Sequence, residues 1–173
     1  LFEYQRTRAS KHPEAFLSGF NGYLHVDGYR GYDNIPNITL SGCWSHARRY
    51  FDEALKALPK GADQSKLTAT EGLQYCNRLF DIERECLDKT PEKRFKIRLE
   101  RSQPVLDAFL AWLKAQTPKV LPKSALGKAI KYCRNQWHKL IVFLEDGRLE
   151  IDNNRSERSI KPFVIGRKNF LFS

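Results

Sequence analysis

The stretch YLHVDGYRGYD, residues 23–33, decides the fold. Tyr23, Leu24 and Val26 form a short apolar run suited to a strand, and Asp27-Gly28 stops it. A strand that ends in Asp-Gly places a carboxylate at its carboxyl edge, where open α/β sheets present their sites. The run therefore predicts an α/β sheet domain, with Asp27 as a candidate site residue.

Working outward, LFEYQRTR (residues 1–8) alternates apolar and polar side chains as an amphipathic strand does. HPEAFLSGF (12–20) reads as a short helix with Pro13 in its first turn. NITLSGCW (37–44) is a second β-rich run. From Trp44 to Glu145 the period changes to helical. Ala47, Phe51, Ala54 and Leu58 recur at helical spacing, then Leu73, Cys76, Phe80 and Leu87. Thr90-Pro91-Glu92 reads as an N-cap followed by Pro at the first helical position. A helix through FLAWLKA is kinked or restarted near Pro104. Ile130, Cys133, Trp137, Ile141 and Leu144 make the clearest stripe, which Gly147 is expected to end. A last helix, in LEIDNNRSERSIKP (149–162), is expected to run to about Lys161 and to break or kink at Pro162. The organisation predicted is a sheet domain in two parts, 1–45 and 146–173, interrupted by a helical insertion over 46–145. The insertion's core is expected to use Phe51, Leu73, Phe80, Phe109, Trp112 and Trp137.

Thirty Lys and Arg stand against 20 Asp and Glu, a net charge of +10. That balance does not choose a fold, but it favours a polyanionic partner, most commonly nucleic acid. No apolar run approaches the roughly 20 residues of a spanning helix, and no signal segment opens the chain. Cys43, Cys76, Cys86 and Cys133 form no CxxC pair and read as reduced thiols of a cytoplasmic protein. The chain opens on Leu1 and contains no Met, which suggests a piece of a longer protein.

Two carboxylates carry the candidate chemistry. Asp27 follows a strand; Glu157 sits on the last helix among Arg155, Arg158 and Lys161. Carboxylates converging on paired Mg²⁺ ions serve phosphodiester chemistry, with one metal helping to make the nucleophile and the other stabilising the leaving oxygen. Such a pair would lie within about 10 Å. The plainer reading is that Asp27 supports a turn and Glu157 pairs with Lys161 at i, i+4. Pattern alone favours that plainer reading, since most surface carboxylates have no special role. Arg155, Arg158 and Lys161 share one helical face, and Arg167 and Lys168 follow. They are either phosphate contacts or a solvated basic face. Asn153 or Asn154 is expected to cap the helix, with Asp152 at its start.

Cys43-x-x-His46 is half a zinc site. Cys133 and His138, five apart on one helix, point about 140° away from each other and complete it poorly. Packing at a strand–helix junction is the simpler account of Cys43. Trp44, Trp112 and Trp137 read as core, whereas Tyr29 and Tyr32 beside Asp27 are better candidates for an exposed role. No Gly-rich phosphate loop and no Ser/His/Asp or Cys/His order points to a nucleotide hydrolase or covalent catalyst.

YLHVDGYRGYD, GCWSHARRYF and DGRLEIDNNRSERSIKPFVIGRKNFLFS, in order at the two ends of the chain, resemble the catalytic domain of the IS sixty-six family of bacterial DDE transposases. The helical middle matches by character more than by motif. The resemblance implies a ribonuclease H-like mixed sheet, truncated at its N-terminus, with an all-helical insertion before the last carboxylate. It implies that Asp27 is the family's second catalytic Asp and that Glu157, in D-N-N-x-x-E-R, is its catalytic Glu. Both are then metal ligands, for two Mg (or Mn) ions in the full protein. The family's first Asp lies before the point that matches Leu1, so the chain alone is expected to be inactive. Beside a catalytic Glu, the resemblance tips Arg155, Arg158, Lys161, Arg167 and Lys168 towards DNA contact. The implied function is cleavage of DNA at the element's ends and strand transfer into target DNA, by a homo-oligomer in the cytoplasm at the nucleoid. The alternatives are a ribonuclease H-like nuclease or resolvase, and an inactive DNA-binding remnant.

Overall fold

The computed structural model describes Thr7, residues 9–59 and residues 63–170. A short helix, α1 (Lys11–Phe16), precedes strand β1 (Gly22–Val26). A connection with a 3₁₀ turn at Arg30–Tyr32 leads to β2 (Ile38–Gly42). The strands pair in parallel, from Gly22 opposite Ile38 to Val26 opposite Gly42. Parallel pairing brings both strands out at the same end, so Asp27 and Cys43 leave the sheet side by side. Among the described residues the sheet has these two strands and is purely parallel. The strand expected over residues 1–8 falls almost wholly outside the described residues.

Among the described residues six α-helices follow: α2 (Trp44–Lys56), α3 (Asp63–Glu85), α4 (Pro91–Ile97), α5 (Gln103–Gln116), α6 (Ala125–Leu140) and α7 (Asn154–Phe170). No strand lies among the described residues of 46–145, as the helical period predicts. Thr90 caps α4, its Oγ1 accepting from the Lys93 N–H, with Pro91 in the first turn. The expected kink or restart near Pro104 takes the form of a π-helical turn, Arg98–Ser102, which joins α4 to α5 without a break in helical backbone. Pro104 follows it inside that continuous run, where its missing N–H leaves a carbonyl of the preceding turn without that donor.

Three boundaries differ from expectation. Leu87 falls beyond α3 and is exposed, because the helix ends at Glu85. The stripe to Leu144 is not one helix: α6 stops at Leu140 and a separate 3₁₀ turn, Val142–Leu144, buries the remaining apolar side chains. Gly147 is therefore no helix cap. It is there for space, since a Cβ would stand 1.8 Å from the Pro91 carbonyl oxygen. Lastly, α7 does not stop near Lys161 but runs through Pro162 to Phe170. Proline removes one N–H, yet its fixed φ is a helical one, so the helix continues past it at the loss of a bond.

The core is one cluster. Trp44, Phe51, Phe109 and Leu113 are fully buried, Trp112 nearly so, and Leu73, Phe80 and Trp137 pack half-buried against them. Aromatic side chains dominate it: Tyr75 stacks on Phe109 with ring centroids 4.9 Å apart, and Trp44 meets Trp137 edge to face at 6.2 Å. Trp44 also donates its indole N–H to the Leu140 carbonyl at 2.8 Å. Gly42 lets the end of α6 lie against β2, since a Cβ there would be 3.1 Å from the Leu140 nitrogen. This contact joins the helical core to the sheet, and fixes the sheet's carboxyl end against α2 and α6.

Candidate carboxylate site at the sheet's carboxyl end

Asp27 is the first residue past β1, and it is exposed. Its Oδ1 accepts the Tyr29 N–H at 3.0 Å, closing an Asx turn. Its carbonyl accepts from the Tyr132 hydroxyl at 3.3 Å, and Tyr132 lies against Tyr50 with centroids 4.6 Å apart. Burial pushes the Tyr132 phenol well above its ordinary pKa, so it stays a neutral donor to this turn. Tyr29 and Tyr32 meet edge to face at 5.6 Å, half-buried rather than free on the surface.

Past β2, the first turn of α2 grips the start of α7. The buried Cys43 thiol donates to Asn153 Oδ1 at 2.9 Å and faces the Asn153 N–H at 3.5 Å. Burial raises the Cys43 pKa, which keeps it a thiol donor. Ser45 Oγ donates to Asp152 Oδ2 at 2.7 Å, and Asn154 Nδ2 reaches Ser45 Oγ at 2.9 Å. The Trp44 N–H meets the Ile151 carbonyl at 3.1 Å. Asn153 occupies the cap position, since its carbonyl accepts the Glu157 N–H at 3.0 Å, the first bond of the helix. Asp152 Oδ1 takes the Asn154 N–H at 3.0 Å, setting a negative charge against the positive end of the helix dipole. The cap expected from the asparagines is thus shared with Asp152.

Glu157 lies in the first turn of α7 with its side chain about half exposed, and its Oε1 is 3.9 Å from His46 Nε2. Among the described contacts within 4 Å that oppose it to a basic side chain, its partner is the His46 ring, not Lys161. Asp27 and Glu157 therefore lie towards the carboxyl end of the two parallel strands, one at the tip of β1 and the other on the helix whose start is bonded to α2 just beyond β2. Among the described residues no group of three His, Cys, Asp or Glu side chains is placed to hold a metal. Cys43 and His46 are turned to α7, and Cys133 is enclosed in the core. Arg155, Arg158 and Lys161 are exposed, Arg155 reaching Glu150 at 3.4 Å. Arg167 and Lys168 lie on α7, and their side chains fall outside the described residues.

Sequence reasoning missed Arg98, which has no exposed surface. All five of its N–H donors are used. Nε and Nη2 take Glu83 at 2.8 and 2.7 Å, and the others reach the carbonyls of Phe143, Asp146 and Leu149 at 2.6, 3.0 and 2.7 Å. These carbonyls belong to the turn that delivers the chain to α7. The one signal in the sequence was an Arg at an inward-facing position of a helical run. Lys139, also buried, pairs with Asp33 at 2.5 Å and ties α6 to the connection between the strands.

No helix among the described residues is long and apolar enough to cross a membrane. No solved structure matches the chain. Three proteins of Sinorhizobium fredii (strain NBRC 101917 / NGR234), each described as uncharacterized, are similar to it. y4jD is 35% identical over 98% of this chain and 34% of its own length. y4qI is 35% identical over 91% and 30%, and y4hP is 30% identical over 96% and 32%. The chain thus spans about a third of the length of these relatives. A family model described as "Transposase IS66 family" matches residues 1–173, and the chain belongs to that transposase family.

Proposed function

We propose that this chain is part of the catalytic domain of a DDE transposase, and that Asp27 and Glu157 are two of the three carboxylates that carry its chemistry. The supporting observation is their placement beyond the carboxyl end of a parallel strand pair, with the start of α7 bonded to Cys43 through Asn153 and Glu157 3.9 Å from His46. The sheet order of a ribonuclease H-like domain, with 46–145 inserted before the last carboxylate, is part of the same reading. Both side chains are exposed oxygen donors, of the kind Mg²⁺ or Mn²⁺ prefers. In this reading they form part of a two-metal site, whose third carboxylate would come from elsewhere in the full-length protein.

Bound there, such ions would activate water or a 3′-hydroxyl for in-line attack at phosphorus and stabilise the leaving oxygen. The chain's own contribution is positioning and charge. The cap at Asn153 and the Asp152 bonds fix the first turn of α7, which carries Glu157. The Asx turn at Asp27 holds that carboxylate at the strand tip. Arg155, Arg158, Lys161, Arg167 and Lys168 hold the DNA backbone beside the reacting phosphate. In the full-length protein, Asp27→Ala or Glu157→Ala should abolish Mg²⁺-dependent nicking and joining of element-end DNA while leaving DNA binding within about threefold. Cleavage that survives either change overturns the assignment.

A further inference from the structure

A groove opens beside the first turn of α7 and runs between α2 and α3. Arg48 (α2), Phe80 and Arg84 (α3), and Arg158 (α7) line it, with the amides of Asn77 and Asn154 between them. Three helices contribute, each from one face: 45 and 48, then 77, 80, 81 and 84, then 154 and 158. None of the three arginines is spent on the core, since all are exposed. Phe80 is half-buried, so part of its ring remains at the groove wall. Two carboxylates share the wall. Asp81 is paired with Arg84, and Asp152 already accepts from Ser45 and Asn154. Arg48 gives its Nε–H to Asn77 at 2.6 Å, a bond that does not use its terminal N–H groups. The volume is about 740 Å³. That suits a nucleotide or two, since pockets for small ligands span roughly 300–1,000 Å³.

Cations around an apolar aromatic wall are the chemistry of single-stranded nucleic acid binding: arginines follow the phosphates, and the ring offers a face to a base. A duplex keeps its bases stacked inside and would leave Phe80 without a role. We propose that this groove binds a single-stranded segment of DNA, the unpaired flank of the strand whose phosphate lies at Glu157. The inference rests on the transposase reading for which strand enters, but not for what the groove binds. It gives the helical region a task at the site through α2 and α3, adding Arg48 and Arg84 to the cations of α7 and Phe80 as a stacking face.

The test uses the full-length protein with fluorescent oligothymidine and a duplex of equal length, read by anisotropy against salt. Phe80→Leu, which keeps an apolar side chain against the core, should weaken single-strand binding at least about fivefold, the lower end for loss of one stacked base. It should leave duplex affinity within twofold. Arg48→Gln with Arg84→Gln should lower the single-strand salt slope by about 1.4, at about 0.7 per phosphate. Circular dichroism confirms that each variant is folded. Unchanged single-strand affinity and slope in both variants overturns the proposal, as does equal weakening of single strand and duplex. Glu157→Gln separates this from the catalytic reading: it should keep single-strand binding and lose cleavage, and retained cleavage overturns only the carboxylate assignment.

Discussion

Replacing Arg98 tests whether the turn ahead of α7 is held by one buried side chain. Arg98→Ala removes both bonds to Glu83, whose side chain is only 11% exposed, and leaves that carboxylate almost buried without its partner. Loss of one member of a buried pair costs about 3–5 kcal/mol. The carbonyls of Phe143, Asp146 and Leu149 lose their donors as well. Each buried orphan adds about 1–3 kcal/mol, less where water can enter. A total of about 5 kcal/mol or more is a large part of the roughly 5–15 kcal/mol that holds a domain folded. A double change discriminates further. If Arg98 and Glu83 were only an ion pair, Arg98→Met with Glu83→Leu would be close to neutral, as apolar replacements of buried pairs often are. The three carbonyls would still be orphaned, so the double variant should remain about 2–4 kcal/mol less stable than wild type. Urea denaturation followed by circular dichroism measures both. A double variant as stable as wild type would refute the reasoning.

Gly147→Ala should destabilise by at least about 1–3 kcal/mol, since the new Cβ would fall 1.8 Å from the Pro91 carbonyl, and the melting temperature reads this directly. Ser124→Ala removes the cap of α6, where Ser124 Oγ accepts the Gly127 N–H at 3.0 Å, and should cost about 0.5–2 kcal/mol in the same assay. His25 has its pKa lowered, chiefly by burial, against weaker opposing effects of Glu150 and Asp152. Its folded value lies below the unfolded 6.5, so stability should be unaffected above that pH and fall as pH drops from 6.5 towards the folded value. His25→Asn should remove that part of the slope. Cys76 is fully buried, its thiol pushed up to about 12, so a thiol reagent at pH 8 should label it only after unfolding.

The sequence reading succeeded where local chemistry decides. The β1 stop at Asp27-Gly28, the Thr90 cap and the helical period over 46–145 all depend on neighbours a few positions away. It failed where distant segments set the boundary. The end of α6 is fixed by packing of Leu140 on Gly42, and the need for glycine at 147 by a carbonyl 56 positions earlier, in Pro91. In the candidate site, too, the local part is legible and the distant part is not. Asp27 and Glu157 stand out in their motifs. The clasp of Cys43, Ser45 and His46 on the start of α7 joins residues more than a hundred positions apart, and no local pattern marks which thiol meets which amide. Cys43-x-x-His46 looked like half a metal site because its spacing brings both side chains to one face. That same face meets the end of another helix. Arg98 was hidden because its five acceptors lie on a helix and a turn that the sequence places far from it.

The central claim is that Asp27 and Glu157 serve one metal site. Mn²⁺ binding to the full-length protein, followed by electron paramagnetic resonance, tests it most directly for wild type, Asp27→Asn, Glu157→Gln and the double variant. If the carboxylates share an ion, each single change should weaken the same binding event by at least about tenfold, the scale on which changes near a metal alter its affinity. The double change should add little to either single one, because the site is already lost. Full-strength Mn²⁺ binding in either single variant, or independent and additive losses in the double, would contradict the account.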